Sequence, residues 1–276
     1  FSGWGYPDYI ETPQAFTVVD GGTKLYIWSY NYETLQQYSL STAWDITTAS
    51  FVASSTAPDT YCLYDPQFNE DGTKMVYANC TNETLNEYTF STPWDVTTLS
   101  LTATTSVTAQ MSYPTGIEFV DGGSRLFVIG DTYDSLFEYS VGTPYDITTL
   151  SFVRSVHPYH GGNRSVWEGF RTAIEFSPEG RYLYEMAQFN NQIHVYEMDA
   201  PYDLDSLVHI DTLNFSDAAF PSDVQFSDDG SKIIVTYTNT PLLEEYTLAA
   251  PVTAPASTVD ALSTVIIQSG NYTVME

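Results

Sequence analysis

Apolar residues in this chain come in short alternating runs, broken every few positions by Asp-Gly, Gly-Gly or Asn-rich stretches, and no helical spacing persists. That pattern predicts short β-strands joined by tight turns. It also repeats. From Phe68 the chain reads FNEDGTKMVYANCTNETLNEYTFSTPWDVTTLS, and from Phe119 it reads FVDGGSRLFVIGDTYDSLFEYSVGTPYDITTLS. A turn glycine recurs at Gly22, Gly72, Gly123, Gly180 and Gly230, and four residues before each stand Val18, Phe68, Phe119, Phe176 and Phe226. Further on, a Leu/Ile-x-x-Tyr pattern recurs with its tyrosines at Tyr38, Tyr88, Tyr139, Tyr196 and Tyr246, spaced by 50, 51, 57 and 50 residues.

Each copy parses into four strands, which in the third copy fall at 114–119, 126–129, 136–141 and 151–155. The Asp-Gly and Gly-Gly pairs supply the positive φ that hairpins need. Between third and fourth strands an aromatic precedes an aspartate: Trp44-Asp45, Trp94-Asp95, Tyr145-Asp146 and Tyr202-Asp203. A short carboxylate there accepts backbone N–H bonds and fixes the corner while the ring packs. Four strands in a unit of about 50 residues is the signature of a propeller blade. The expected fold is therefore all-β, a five-bladed β-propeller of four-stranded antiparallel blades over residues 13–268, with repeats at about 13–62, 63–112, 113–169, 170–220 and 221–268. Residues 1–12 read as an N-terminal extension or latch and 269–276 as a tail. The fifth copy lacks the aromatic-Asp corner and has APVTAPAST from Ala250 instead, so its fourth strand is expected at 263–268.

FSPEGRYLY from Phe176 resembles the YVTN/SPDG-type β-propeller repeat, and the corner STPWDVTT from Ser91 is similar to repeats in virion fibres and in microbial surface proteins. The resemblance covers about residues 13–268 and implies the fold. It implies no particular activity, because propellers host unrelated ones.

Charge narrows the partners. The net charge of −27 comes from only 8 Lys and Arg against 35 Asp and Glu, so missing cations and not surplus acids make the chain acidic. No basic stripe exists to neutralise phosphates, which argues against nucleic acid and anionic membranes. No apolar run of membrane-spanning length occurs, and the opening FSGWGYPDYIE has neither the basic start nor the apolar stretch of a signal peptide. Cys62 and Cys80, the only cysteines, lie symmetrically about Asp71 at the second copy's hairpin, which predicts a disulfide and an oxidising compartment. Sequons stand at Asn79, Asn82, Asn163, Asn214 and Asn271, the first four on the face that carries the links between blades.

No nucleophile elbow, phosphate loop, zinc-protease motif or dinucleotide fingerprint is present, so no catalytic residue, metal or cofactor is assigned. One junction is longer than its siblings: SVHPYHGGNRSVWEGFRT, from Ser155. It holds or adjoins Arg154, Arg164 and Arg171, and gathers His157, Tyr159, His160 and Trp167. Arginine and tryptophan dominate interface energetics, so His157, Tyr159, His160, Arg164, Trp167 and Arg171 form the candidate binding set. The leading expectation is a non-catalytic extracellular or surface module that assembles with protein subunits or binds glycans, as in a filament, adhesin or virion fibre. The alternatives are a lectin, or a propeller hydrolase acting on a sugar or lactone with acidic residues around the central channel.

Overall fold

The computed structural model describes residues 13–29, 33–56, 63–130, 135–158, 171–214, 220–237 and 242–247. Blade one comprises β1 (Pro13–Val19), β2 (Lys24–Ser29), β3 (Thr34–Leu40) and β4 (Ala49–Thr56). Blade two comprises β5 (Leu63–Phe68), β6 (Lys74–Asn79), β7 (Thr84–Phe90) and β8 (Leu99–Ser106). Blade three comprises β9 (Pro114–Val120), β10 (Arg125–Gly130), β11 (Ser135–Val141) and β12 (Leu150–Val156). Blade four comprises β13 (Arg171–Phe176), β14 (Tyr182–Ala187), β15 (Gln192–Glu197) and β16 (Val208–Asn214). Blade five comprises β17 (Pro221–Phe226), β18 (Lys232–Tyr237) and β19 (Leu242–Thr247). Each sheet runs in chain order from the ring axis outwards, four-stranded in four blades and three-stranded among the described residues of the fifth. The strand expected at 263–268 and both chain ends lie outside the described residues. The innermost strands touch in a closed cycle, β1 to β5 to β9 to β13 to β17 and back to β1, so the ring has five blades.

The corners form as the aspartates dictate. Asp45, Asp95 and Asp146 each accept the backbone N–H two residues on at 3.0 Å, and Asp203 does so at 3.2 Å, opening a one-turn 3₁₀ helix each time. The preceding aromatic adopts positive φ, as in Trp94 at 66°, and its N–H donates to the carbonyl of the hairpin glycine, Trp94 to Gly72 at 3.0 Å. The indole then lies flat on Gly72, where a Cβ would stand 2.1 Å from the ring. Glycine is thus required there twice, for a φ of +69° and for the ring's seat. Trp44 on Gly22, Tyr145 on Gly123 and Tyr202 on Gly180 repeat the arrangement.

The scarce cations are used between blades. Lys74 donates to the corner carbonyl of Tyr145 in the next blade at 3.5 Å and pairs with Glu87 at 3.0 Å, while Glu87 accepts the N–H of Ile147 at 3.3 Å. Arg125 likewise reaches the Tyr202 carbonyl at 3.2 Å and Glu138 at 2.7 Å. Lys232 reaches the Trp44 carbonyl at 2.6 Å and Glu245 at 2.6 Å, and Glu245 accepts the N–H of Ile46 at 3.1 Å. Between blades one and two, Tyr26 takes the Trp94 carbonyl at 2.6 Å and Gln37 takes the Val96 N–H at 3.2 Å. The Lys74–Glu87, Lys232–Glu245 and Tyr26–Gln37 clamps each grip one corner by both its carbonyl and its N–H. The fifth copy lacks the aromatic-Asp pair in sequence, and blade four has Tyr182 and Val195 at the two clamp positions. Among the described residues no such clamp joins blades four and five.

All four complete blades carry a β-bulge at one repeat position, beside Tyr38, Tyr88, Tyr139 and Tyr196, where the third strand pairs with the fourth. A bulge there twists the outer strand away from regular edge pairing. The repeat tyrosines are buried, and their hydroxyls need partners. Tyr38 donates to Gln36 at 3.1 Å, Tyr88 meets Tyr77 at 3.4 Å, Tyr196 donates to Glu185 at 2.8 Å and Tyr246 donates to Glu244. These partners differ between blades, which explains why the neighbouring positions do not repeat in sequence.

Candidate functional site

The innermost strands carry polar residues in two tiers. Asp65 and Asp223 occupy the deeper tier and are buried. One turn of the pleat nearer the hairpins stand Gln67, Glu118, Glu175 and Gln225, each just ahead of the phenylalanine that precedes a turn glycine. Most of these side chains reach across to the next blade. Asp65 accepts the N–H of Ile117 at 2.9 Å, Glu118 that of Phe176 at 2.7 Å, and Glu175 that of Phe226 at 3.3 Å. At the closing seam Asp223 accepts the N–H of Phe16 at 3.0 Å, and Gln225 bonds both the N–H of Val18 at 2.7 Å and its carbonyl at 3.1 Å. Asp65 sits in the left-handed region at φ 49°, immediately before Pro66 and within a register shift of β5. Backbone strain of this kind in a buried acid marks a built feature.

Burial pushes the Asp65 carboxyl up to about 7. Burial, followed by repulsion from neighbouring carboxylates, drives Glu118, Glu175 and Asp223 well above the usual carboxylate range. Four acids crowd one axis, and ionising them all would place like charges together out of water. Glu118, Glu175 and Asp223 are therefore biased towards the protonated form. Among the described residues no group of three or more His, Cys, Asp and Glu is arranged to hold a metal ion.

The second tier opens to solvent. A cavity of about 320 Å³ lies at the hairpin end of the axis between blades three, four and five. Glu118, Glu175 and Gln225, all partly exposed, contribute its polar lining, and Phe119, Phe176, Phe226 and Tyr202 its rings. Ser177, Ser227 and the exposed Asp228 also line it. The second oxygens of Glu118 and Glu175 can bond to alcohols or, when protonated, donate to a carbonyl or ether oxygen, and the rings offer apolar faces to a sugar. The exposed Asp228 stands at the same cavity, where its carboxylate oxygens can engage a water.

No residue of the sequence-predicted set lines this cavity among the described residues. Tyr159, His160, Arg164 and Trp167 lie outside the described residues. His157 is exposed just past β12, its Nδ1 2.9 Å from the Ser135 hydroxyl. Arg171, which the sequence places in or beside the long junction, is the first residue of β13, paired with Ala187. Arg154 is held by Glu138 at 2.7 Å and Asp205 at 2.6 Å within its own chain. The expectation for Asn79 is corrected. It is buried at the end of β6 with its Oδ1 accepting the Asn82 N–H at 3.0 Å, which leaves no room for a glycan. Asn82 and Asn214 are exposed, whereas Asn163 and Asn271 lie outside the described residues. Cys80 is buried, and among the described residues there is no free cysteine. Its expected partner Cys62 lies outside the described residues, one position before Leu63, which pairs with Asn79.

No family model matches this chain, and no curated protein matches it. Solved structures do. A protein from Lactobacillus plantarum is 17% identical with a TM-score of 0.51, over 88% of this chain and 69% of that one. A luciferin-regenerating enzyme is 11% identical with a TM-score of 0.53, over 84% of this chain and 85% of that one. The periplasmic gluconolactonase of Pseudomonas aeruginosa is 13% identical with a TM-score of 0.49, over 89% of this chain and 68% of that one. Likeness at this level speaks for the propeller fold and not for a reaction.

Proposed function

We propose that the axial pocket binds a sugar or sugar lactone and that the chain is a hydrolase of the lactone-opening kind. One observation carries the reading: two carboxyls, Glu118 and Glu175, whose titration is pushed well above the usual carboxylate range, line one cavity together with the exposed Asp228. In this reading a water molecule adds to the lactone carbonyl while Asp228 takes its proton. The bond from the carbonyl carbon to the ring oxygen breaks, and Glu118 or Glu175 protonates that oxygen. The acid product ionises, and the proton on Asp228 returns to the glutamate through water. General acid–base groups contribute about 10²–10⁴-fold to such steps. Hydrolysis of glucono-δ-lactone, followed against its spontaneous rate, is expected to be accelerated and to fall at least about 10²-fold in Asp228→Asn and in the double Glu118→Gln, Glu175→Gln variant. Glutamine keeps the acceptor that bonds the next blade, so the fold survives. No acceleration over buffer by the unaltered protein sets hydrolysis aside.

A second reading, an extracellular assembly module, is favoured by the outer strands. Val52, Leu101, Phe152, Val153 and Val208 are exposed there, and β4 and β8 carry no charged residue in a chain of net charge −27. Patches of that kind suit subunit contacts. Salt screens the chain's repulsion, so this reading expects self-association in sedimentation as ionic strength rises. A monomer at every salt concentration removes it.

A further inference from the structure

We propose that the axial pocket admits uncharged ligands and excludes anions, so that a neutral sugar or lactone enters and an acid product is driven out. The inference rests on the pocket reading above and adds its charge selectivity. Every ionisable side chain lining the cavity, apart from the Tyr202 phenol, is a carboxyl: Glu118, Glu175 and Asp228. No Lys, Arg or His lines it among the described residues. The cation anchored to the wall is Arg125, and its donors are committed. Nε and Nη2 both bond Glu138, at 3.1 and 2.7 Å, Nη2 also takes the Tyr202 carbonyl at 3.2 Å, and Nη1 pairs with Asp121 at 3.3 Å. Lys232 is likewise occupied by Trp44 and Glu245.

A phosphate or carboxylate in this cavity therefore meets no cation, loses water, and faces at least one fixed negative charge at Asp228. It also faces acids that would be pressed to stay protonated against a further negative neighbour. Anion sites need Arg, Lys or a run of backbone N–H donors. Here the backbone N–H groups of Phe176 and Phe226 are already bound to Glu118 and Glu175. A neutral polyol meets no like charge, and its hydroxyls find the second carboxyl oxygens of Glu118 and Glu175 and the exposed Asp228. For a lactone hydrolase the consequence is directional, because its substrate is neutral and its product is an anion.

The test compares D-glucose with D-glucose 6-phosphate, two probes that differ by one dianionic group, using ligand-observed NMR at about 10 mM and about 150 mM ionic strength. The expected result is binding of glucose, with the phosphate ester at least about tenfold weaker at low salt and the gap narrowing at high salt. Asp228→Lys, a change at an exposed position, is expected to close or reverse the gap. Equal or tighter binding of the phosphate ester by the unaltered protein overturns the charge selectivity while leaving the pocket as the ligand site. Glucose and its phosphate both failing to bind removes the pocket reading, and the selectivity with it.

Discussion

Thermal unfolding followed from pH 5 to pH 9 should show stability falling steadily, with four carboxyls on the ring axis setting the slope. An unfolded aspartate or glutamate titrates near pH 4. In the folded ring Asp65 titrates near 7, and Glu118, Glu175 and Asp223 well above the usual range, mainly because they are buried. Between those limits the unfolded chain has released protons that the folded chain still holds, so raising the pH favours unfolding. The stability tied to these groups is complete below about pH 4 and is lost as pH climbs through the folded values. For Asp65 alone, a rise from 3.8 to about 7 corresponds to something on the order of 4 kcal/mol. The acid limb has the opposite sign. The turn hydroxyl and N–H of Ser231 hold Asp229 near 2, the Lys24 ammonium lowers Asp20, and the turn hydroxyls of Thr73 and Thr148 lower Asp71 and Asp146. Their contribution is present above about pH 4 and fades below it. Global repulsion in a chain of −27 also grows with pH, so the slope needs a control. The double Glu118→Gln, Glu175→Gln variant should flatten the alkaline limb, and a slope identical to that of the unaltered chain would remove the axial acids as its cause.

Replacing Glu245 with alanine should open the ring at one place. Glu245 receives both Lys232 at 2.6 Å and the N–H of Ile46 at 3.1 Å, joining the last described blade to the first across 199 residues of chain. Removing one partner of a buried pair costs about 3–5 kcal/mol. Lys232 and Glu245 keep 25% and 17% of their side-chain exposure, so about 2 kcal/mol is the fitting expectation here. The sharper readout is local. Hydrogen exchange should quicken at Phe16, Val18 and Ile46, which bond across the seam, and stay slow at Phe176, which bonds Glu118 inside the ring. Glu87→Ala, at the equivalent clamp between blades two and three, should cost a similar amount without speeding exchange at Phe16. Unchanged protection at Phe16 and Ile46 in Glu245→Ala would show that the clamp does not hold the closure.

The fold was legible because its signals are local. A positive φ, an aspartate beside two backbone N–H groups and an aromatic seat on glycine are settled within a few residues, and they recur at fixed spacing. Lys24, Lys74, Arg125 and Lys232 share one position in the repeat, but the corner carbonyls that Lys74, Arg125 and Lys232 reach sit in the following blade, 71 residues on for Lys74 and Tyr145, where spacing carries no information. The site suffers from the same blindness. Acids around the channel were an expectation, yet which of 35 carboxylates converge depends on how five inner strands face one another. The readable trace was a glutamate or glutamine standing just before phenylalanine in an otherwise apolar strand, at Gln67, Glu118, Glu175 and Gln225. Asn79 misled for a related reason: a sequon shows its three residue types, while the burial of its asparagine is decided by β5 and the turn at Asn82.

The missing clamp between blades four and five bears on where the chain could begin. Elsewhere the outer grip between neighbours is the same whether or not a peptide bond also links them, since Lys232 and Glu245 hold Trp44 and Ile46 as Lys74 and Glu87 hold Tyr145 and Ile147. Connectivity is therefore not what defines the ring, and the present break between last and first blades has no privileged status. A circularly permuted chain, joined between its present ends and cut within residues 215–219, would keep every described clamp and place its new ends at a junction with none among the described residues. The propeller's architecture would then survive a change in its order of synthesis.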